Sequence, residues 1–146
     1  MNEQLISRIV GKFLVPYILL FGLYVQFHGD YGPGGGFQAG VIFASAFVIY
    51  TLLFGVEKAM EIAPPVILKL VAAAGVLLYA LVGVATLLDG GNYLDYDVLG
   101  EYPVAGQHIG IILVELGVGL TVTSVMMLLF FTFSQKDDEE EEGGSR

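Results

Sequence analysis

Four long apolar runs, separated by polar or glycine-rich breaks, dominate the chain, at about 9–27, 37–56, 66–88 and 108–133. A helix crossing the hydrocarbon of a bilayer needs about 20 residues at about 1.5 Å of rise each, and every run is close to that or longer. Apolar residues surround each predicted helix instead of forming one stripe, as lipid and helix neighbours on all sides require. The third run starts just after Pro64 and Pro65, where prolines suit a helix start, and Pro16 predicts a kink or local unwinding in the first. The pattern predicts an all-α integral membrane protein of four transmembrane helices, forming one membrane domain over residues 1–133.

Charge orients these spans. All six basic residues fall on one side: Arg8 and Lys12 before or early in the first span, Lys58 and Lys69 around the second connection, Lys136 and Arg146 after the fourth. The other two connections, 28–36 and 89–107, carry Asp30, Asp89, Asp95, Asp97 and Glu101 with no Lys or Arg. The positive-inside rule then puts both termini in the cytoplasm. The acid run 137–142 predicts a solvated, disordered cytoplasmic tail over 134–146. In the long outer loop Tyr93, Tyr96 and Tyr102 suit the membrane interface. The loop's acids either attract cations or simply keep a capping loop solvated.

Composition narrows the function. Hydrophobic residues make up 55% of the 146 and charged residues 14%, against about 25% charged in ordinary soluble domains. A chain this short has no soluble core large enough for so much apolar surface, so the lipid bilayer is its solvent. A net charge of −9 disfavours nucleic acid as a partner. The absence of cysteine removes disulfides, zinc–thiolate sites, iron–sulfur ligation and thiol nucleophiles. With two histidines, neither a metal centre nor a bound haem is expected. No H-E-x-x-H or G-x-S-x-G motif occurs, so the chain is expected to be no enzyme and to hold no cofactor. The first apolar run ends at Phe27–His28 without a small-residue cleavage site, which reads as a span and not as a removed signal peptide.

Glu115 is the one acid inside a span, roughly 10 Å from the outer end of the run at helical rise. An acid in hydrocarbon is costly unless it is paired, protonated or faces water, so it is a functional candidate by default. It reads either as a handler of ions or protons, or as a structural glutamate bonded to another subunit's helix. His108, Glu115 and Gly119 share one helical face, while Gly110, Gly117, Thr121 and Ser124 make a second, nearly opposite face of small residues. The fourth helix is therefore expected to need protein on both sides, more than three sister helices supply.

The stretch from His28 to Gly40 is the most distinctive in the chain. Gly34–Ala39 formally matches G-x-G-x-x-A, but no strand precedes it, which argues against a dinucleotide. Gly34, Gly35 and Gly36, set between Pro33 and Phe37, permit positive φ and close backbone approach. They predict a tight re-entry or a seat for another backbone. His28 and Asp30 beside them read either as cation ligands or as ordinary surface polar residues.

This run, His28-Gly29 followed by Pro33-Gly34-Gly35-Gly36-Phe37 and Ala39-Gly40, resembles the signature of the B subunit of Mrp-type multisubunit sodium/proton antiporters, the MnhB family. Ala39 stands where glycine is usual. Glu115-Leu116-Gly117-Val118 is similar to the acidic-Leu-Gly-Val segment of that family's last helix, and the resemblance spans about residues 5–133, leaving the acidic tail outside. It implies a small non-catalytic subunit of a heteromeric antiporter that exchanges cytoplasmic sodium for external protons across a prokaryotic plasma membrane. Its partners would be larger, proton-translocating subunits, beside which it helps to form the cation or proton route. Glu115, with His108, His28 and Asp30, would be its contribution to that route. Two other readings stand beside this one: an autonomous homodimeric four-helix proton-coupled exporter, and a purely structural assembly subunit. Against the exporter, the chain has no Trp, its glutamate comes late, and no aromatic cage surrounds it.

Overall fold

A computed structural model describes residues 2–143, with side chains over 6–135. Helix α1 spans Asn2–His28, α2 Gly36–Phe54, the short α3 Val56–Ile62, α4 Pro65–Leu88 and α5 Pro103–Gly143, with a 3-10 turn at Tyr96–Leu99. Helices α1, α2, α4 and α5 are each long and apolar enough to cross a membrane, and no strand occurs among the described residues. Between 17 and 28% of each span's apolar window is buried inside the chain, so most of its apolar surface faces outward. In water such exposure would be untenable; in lipid it costs nothing.

Local chemistry sets the breaks. Gly55, at φ +94°, ends α2 two residues earlier than the apolar run and donates its N–H to the Thr51 carbonyl. Glycine takes this left-handed conformation without strain, and the chain restarts at once as α3. Pro65 opens α4, where its missing N–H is no loss. Helix α1 runs through Pro16 without an unwound residue, in place of the predicted local unwinding. Helix α5 starts at Pro103, five residues before the predicted span. The tail expected to be disordered continues α5 in its backbone to Gly143, while its side chains from 136 on and the backbone of 144–146 lie outside the described residues.

The spans pack in a row, α1 on α2, α2 on α5, and α5 on α4, with only slight contact between α1 and α5. Glycines set the closeness of these contacts. A Cβ on Gly40 would lie 2.9 Å from the Gly119 carbonyl oxygen, and one on Gly117 2.7 Å from the Gly75 carbonyl oxygen. Thr123 donates to the carbonyls of Gly119 and Gly40, and Thr121 to those of Gly117 and Ala72, tying α5 to both neighbours. A core of Ala44, Ala59, Ala63, Leu68, Met127 and Phe131 closes the α3 end. Both protein-facing sides of α5 are thus covered within the chain, which corrects the expectation that three sister helices would not suffice. Helices α2 and α4 lie on opposite sides of it, each matched to one of its two small or polar faces.

Candidate functional site

The residue to explain is Glu115, and what faces it is backbone. Gly36 begins α2, and a Cβ there would run into the carbonyl oxygen of Glu115 itself. A Cβ on Gly35 would stand 2.7 Å from Glu115 Oε1, and one on Gly29 2.5 Å from both carboxylate oxygens. The turn between α1 and α2 therefore forms a cradle in which every side chain that would displace the carboxylate is missing. Gly35 holds φ +122°, and its N–H donates to the Val25 carbonyl at 3.1 Å, folding the turn back onto the end of α1. The glycines serve both as a bend and as a seat.

Level matters as much as contact. Gly36, the first residue of α2, lies beside Glu115, the thirteenth of α5, so α5 extends about 18 Å past the cradle at helical rise. The α1–α2 turn is recessed beside the longer α4–α5 pair. Glu115 is deep with respect to its own helix, yet level with the neighbouring turn.

Two turns along α5 from Glu115, His108 Nδ1 pairs with Asp30 Oδ2. The Asp30 side chain is 7% exposed and that of His108 45%, so the carboxylate is held inside while the imidazole reaches the surface. The Asp30 and Glu115 carboxylates lie within electrostatic reach of each other. Tyr31 flanks the pair, its ring 6.2 Å from that of His108. An imidazole both gives and takes protons, and carboxylates accept them, so each of these side chains has proton-exchanging chemistry.

The structure joins three of the four sequence-predicted residues and leaves His28 apart. Its ring stacks on Tyr24 at 5.1 Å, and its carbonyl accepts the N–H groups of Tyr31 and Gly32, which ends α1. Neighbours in sequence across a helix end diverge in space, which is why His28 and Asp30 do not act together. Pro33 and Phe37 face outward and Gly34 packs on the Val25 carbonyl, so they shape the turn without touching the carboxylate. Sequence reasoning missed Gln26, 7% exposed, whose Oε1 lies 2.7 Å from where a Cβ on Gly119 would sit. An amide late in an otherwise apolar span was the signal that could have found it. Among the described residues, no three His, Asp or Glu side chains converge as a metal-binding set.

Residues 6–128 match the model of a family described as a domain related to the MnhB subunit of Na+/H+ antiporter. Relatives in Staphylococcus aureus strains Newman, JH1 and COL carry the provisional name "antiporter subunit mnhB2". Each is 34% identical over 129 residues, covering 86% of this chain and 91% of the relative. The match includes both the glycine turn and Glu115. On this similarity, running nearly end to end, the chain belongs to the MnhB family.

Proposed function

We propose that the protein is a small non-catalytic subunit of a heteromeric sodium/proton antiporter, and that Glu115 is its contribution to the ion or proton route. The observation that carries this reading is the seat of Glu115: an ionisable group in an apolar helix, set against bare backbone. Glu115 has no hydrogen-bond partner among the described residues, and an acid so placed is suited to exchanging a proton or a cation. The Asp30–His108 pair stands toward the surface from it and supplies the proton relay.

The relatives' name as antiporter subunits supports a subunit over an autonomous exporter. Helices α1 and α4 do not close on each other, so one copy of the chain encloses no path between its own spans. On the subunit reading, larger subunits of the same antiporter complete the route. The one-sided placement of all six bases supports a topology with both termini in the cytoplasm of a prokaryotic cell.

The test is a Glu115→Gln complex in vesicles, with sodium-driven proton flux measured across pH and subunit content checked in parallel. Gln keeps shape and hydrogen bonding but neither charge nor titration. The expected result is an assembled complex with exchange reduced at least tenfold, and Glu115→Asp retaining part of it with an altered pH profile. Wild-type exchange by an assembled Glu115→Gln complex removes the ion-handling role.

A further inference from the structure

The free faces of α1 and α4 differ in kind. On α1, Phe13, Tyr17, Leu20, Tyr24 and Phe27 follow at intervals of four, three, four and three, so they share one side of the helix. Each is more than half exposed, while Gly11, Gly22 and Gln26 of the same helix are buried against the rest of the chain. Ring contacts run lengthwise along this face: Phe13 meets Tyr17 at 5.0 Å between centroids, and Tyr24 meets His28 at 5.1 Å. The free face of α4 presents Leu70, Leu77, Leu81 and Val84 instead, and its one aromatic residue, Tyr79, is 37% exposed. Aliphatic cover of that kind suits lipid tails. A row of rings that carry hydroxyls asks for something else.

Tyr17 decides what covers the α1 face. It is the middle residue of the Ile6–His28 span, roughly 16 Å of helix from either end, farther than a phenol reaches toward water. Its hydroxyl makes no hydrogen bond among the described residues, and neither does that of Tyr24. A hydroxyl turned to lipid at that depth has no partner, a cost that contact with protein removes. Pro16, exposed beside it, denies the Lys12 carbonyl its helical N–H and leaves a second polar group for a neighbour. Area agrees: the five side chains offer roughly 600 Å², most of the about 800 Å² that each partner buries in a standard interface. A second copy of this chain fits badly. A two-fold axis would set the same rings against each other at the same level, with no small residue in the row to receive them.

We propose that this aromatic face of α1 is the seam by which the chain docks on a membrane-spanning helix of a different subunit. That helix carries small residues opposite the rings and a hydrogen-bonding side chain opposite Tyr17, near the middle of the bilayer. The seam rests on the reading of the chain as a subunit of a heteromeric complex, and it gives that reading a surface. Glu115 belongs to α5, with which α1 has only slight contact, so docking and ion handling fall on different helices.

The test uses the intact complex purified in detergent with bound lipid. A photoreactive benzoylphenylalanine replaces Tyr17 in one form and Leu77, exposed on the free face of α4, in another. Irradiation should join position 17 to one helix of a different subunit, identified by mass, and position 77 to lipid or detergent. An adduct of position 17 with a second copy of this chain, or with lipid alone, overturns the seam. So does an equally strong subunit adduct from position 77. Tyr17→Phe keeps the ring and loses only the hydroxyl. About threefold to tenfold more of this subunit should then leave the complex at a fixed detergent concentration, the scale of one hydrogen bond between membrane helices. Wild-type retention of Tyr17→Phe overturns the hydrogen-bonding partner. If the seam fails while other subunits still co-purify and Glu115→Gln abolishes exchange, only the seam falls; a chain that purifies alone and exchanges ions unaided removes the subunit reading as well.

Discussion

The two connections at the same end of the bundle use missing side chains for opposite purposes. In the α1–α2 turn, Gly29, Gly35 and Gly36 make room for a carboxylate from α5. In the α4–α5 connection, Gly83 makes room for the ring of Tyr93 and Gly110 for that of Tyr96. Leu94 there holds φ +63°, its N–H bonded to Thr86 Oγ1 at 3.0 Å. Two of the loop's four acids are occupied locally: Asp97 accepts from Gln107 Nε2 at 2.8 Å, and Asp95 from the Asn92 N–H at 3.4 Å. Burial, with Tyr79 and Tyr93 nearby, raises the Tyr96 phenol above its ordinary range, so it stays protonated and neutral well past physiological pH. One connection seats an ionisable group and the other seals with rings. Glycine abundance alone does not separate a functional turn from a structural one; what fills the space does.

That contrast is open to attack, most strongly through the cradle. Gly36→Ala sets a methyl group against the Glu115 carbonyl, where neither partner is a movable side-chain end. It should destabilise the complex by about 1–3 kcal/mol, read as lower recovery and earlier thermal loss in detergent. Near-normal recovery would mean that the two backbones do not approach this closely.

Tyr93→Ala removes a ring that is half exposed and seated at Gly83. A loss of about 1–2 kcal/mol is expected, below the full cost of emptying a buried aromatic site. Exchange per assembled complex should hold. A selective fall in exchange would put the sealing loop into the ion route and erase the distinction between the two connections.

His108→Gln removes one partner of the Asp30 pair and with it an imidazole that would carry protons in the proposed relay. Assembly should persist, because the His108 side chain is nearly half exposed, while the pH dependence of exchange changes shape. Tyr96→Phe should leave that profile unchanged, since a phenol held neutral has no charge to lose near neutrality. Equal pH profiles for His108→Gln and wild type would take the pair out of the relay.

Much of this was legible in the sequence, and the gaps have physical reasons. Apolar runs located the four spans because lipid demands length and apolarity, whereas their ends depend on single residues such as Gly55 and Pro103. Helix α3, at seven residues, is too short for periodicity to announce. Spacing placed His108, Glu115 and Gly119 on one face, and the structure keeps them there. Spacing does not say which neighbour covers a face, so the cradle around Glu115 and the cover on both sides of α5 were out of reach. Asp30 and His28 show the same limit: two residues apart in sequence, one reaches α5 and the other stacks back along α1.

Whether the glycine turn is shaped around the Glu115 carboxylate is decided by a double-mutant cycle. Gly35 is the position to use, because a Cβ there meets Glu115 far more closely than anything else. Its backbone, at φ +122° and ψ −178°, adds a strain of about 1–3 kcal/mol for any L-residue, the same in both backgrounds. The measurement is the thermal stability of the complex carrying Gly35→Ala, alone and together with Glu115→Ala. A turn shaped around the carboxylate gives a cost smaller by about 1 kcal/mol or more once the carboxylate is gone, a coupling expected of groups in contact. An equal cost in both backgrounds would contradict it, leaving the glycines as a bend that Glu115 happens to pass.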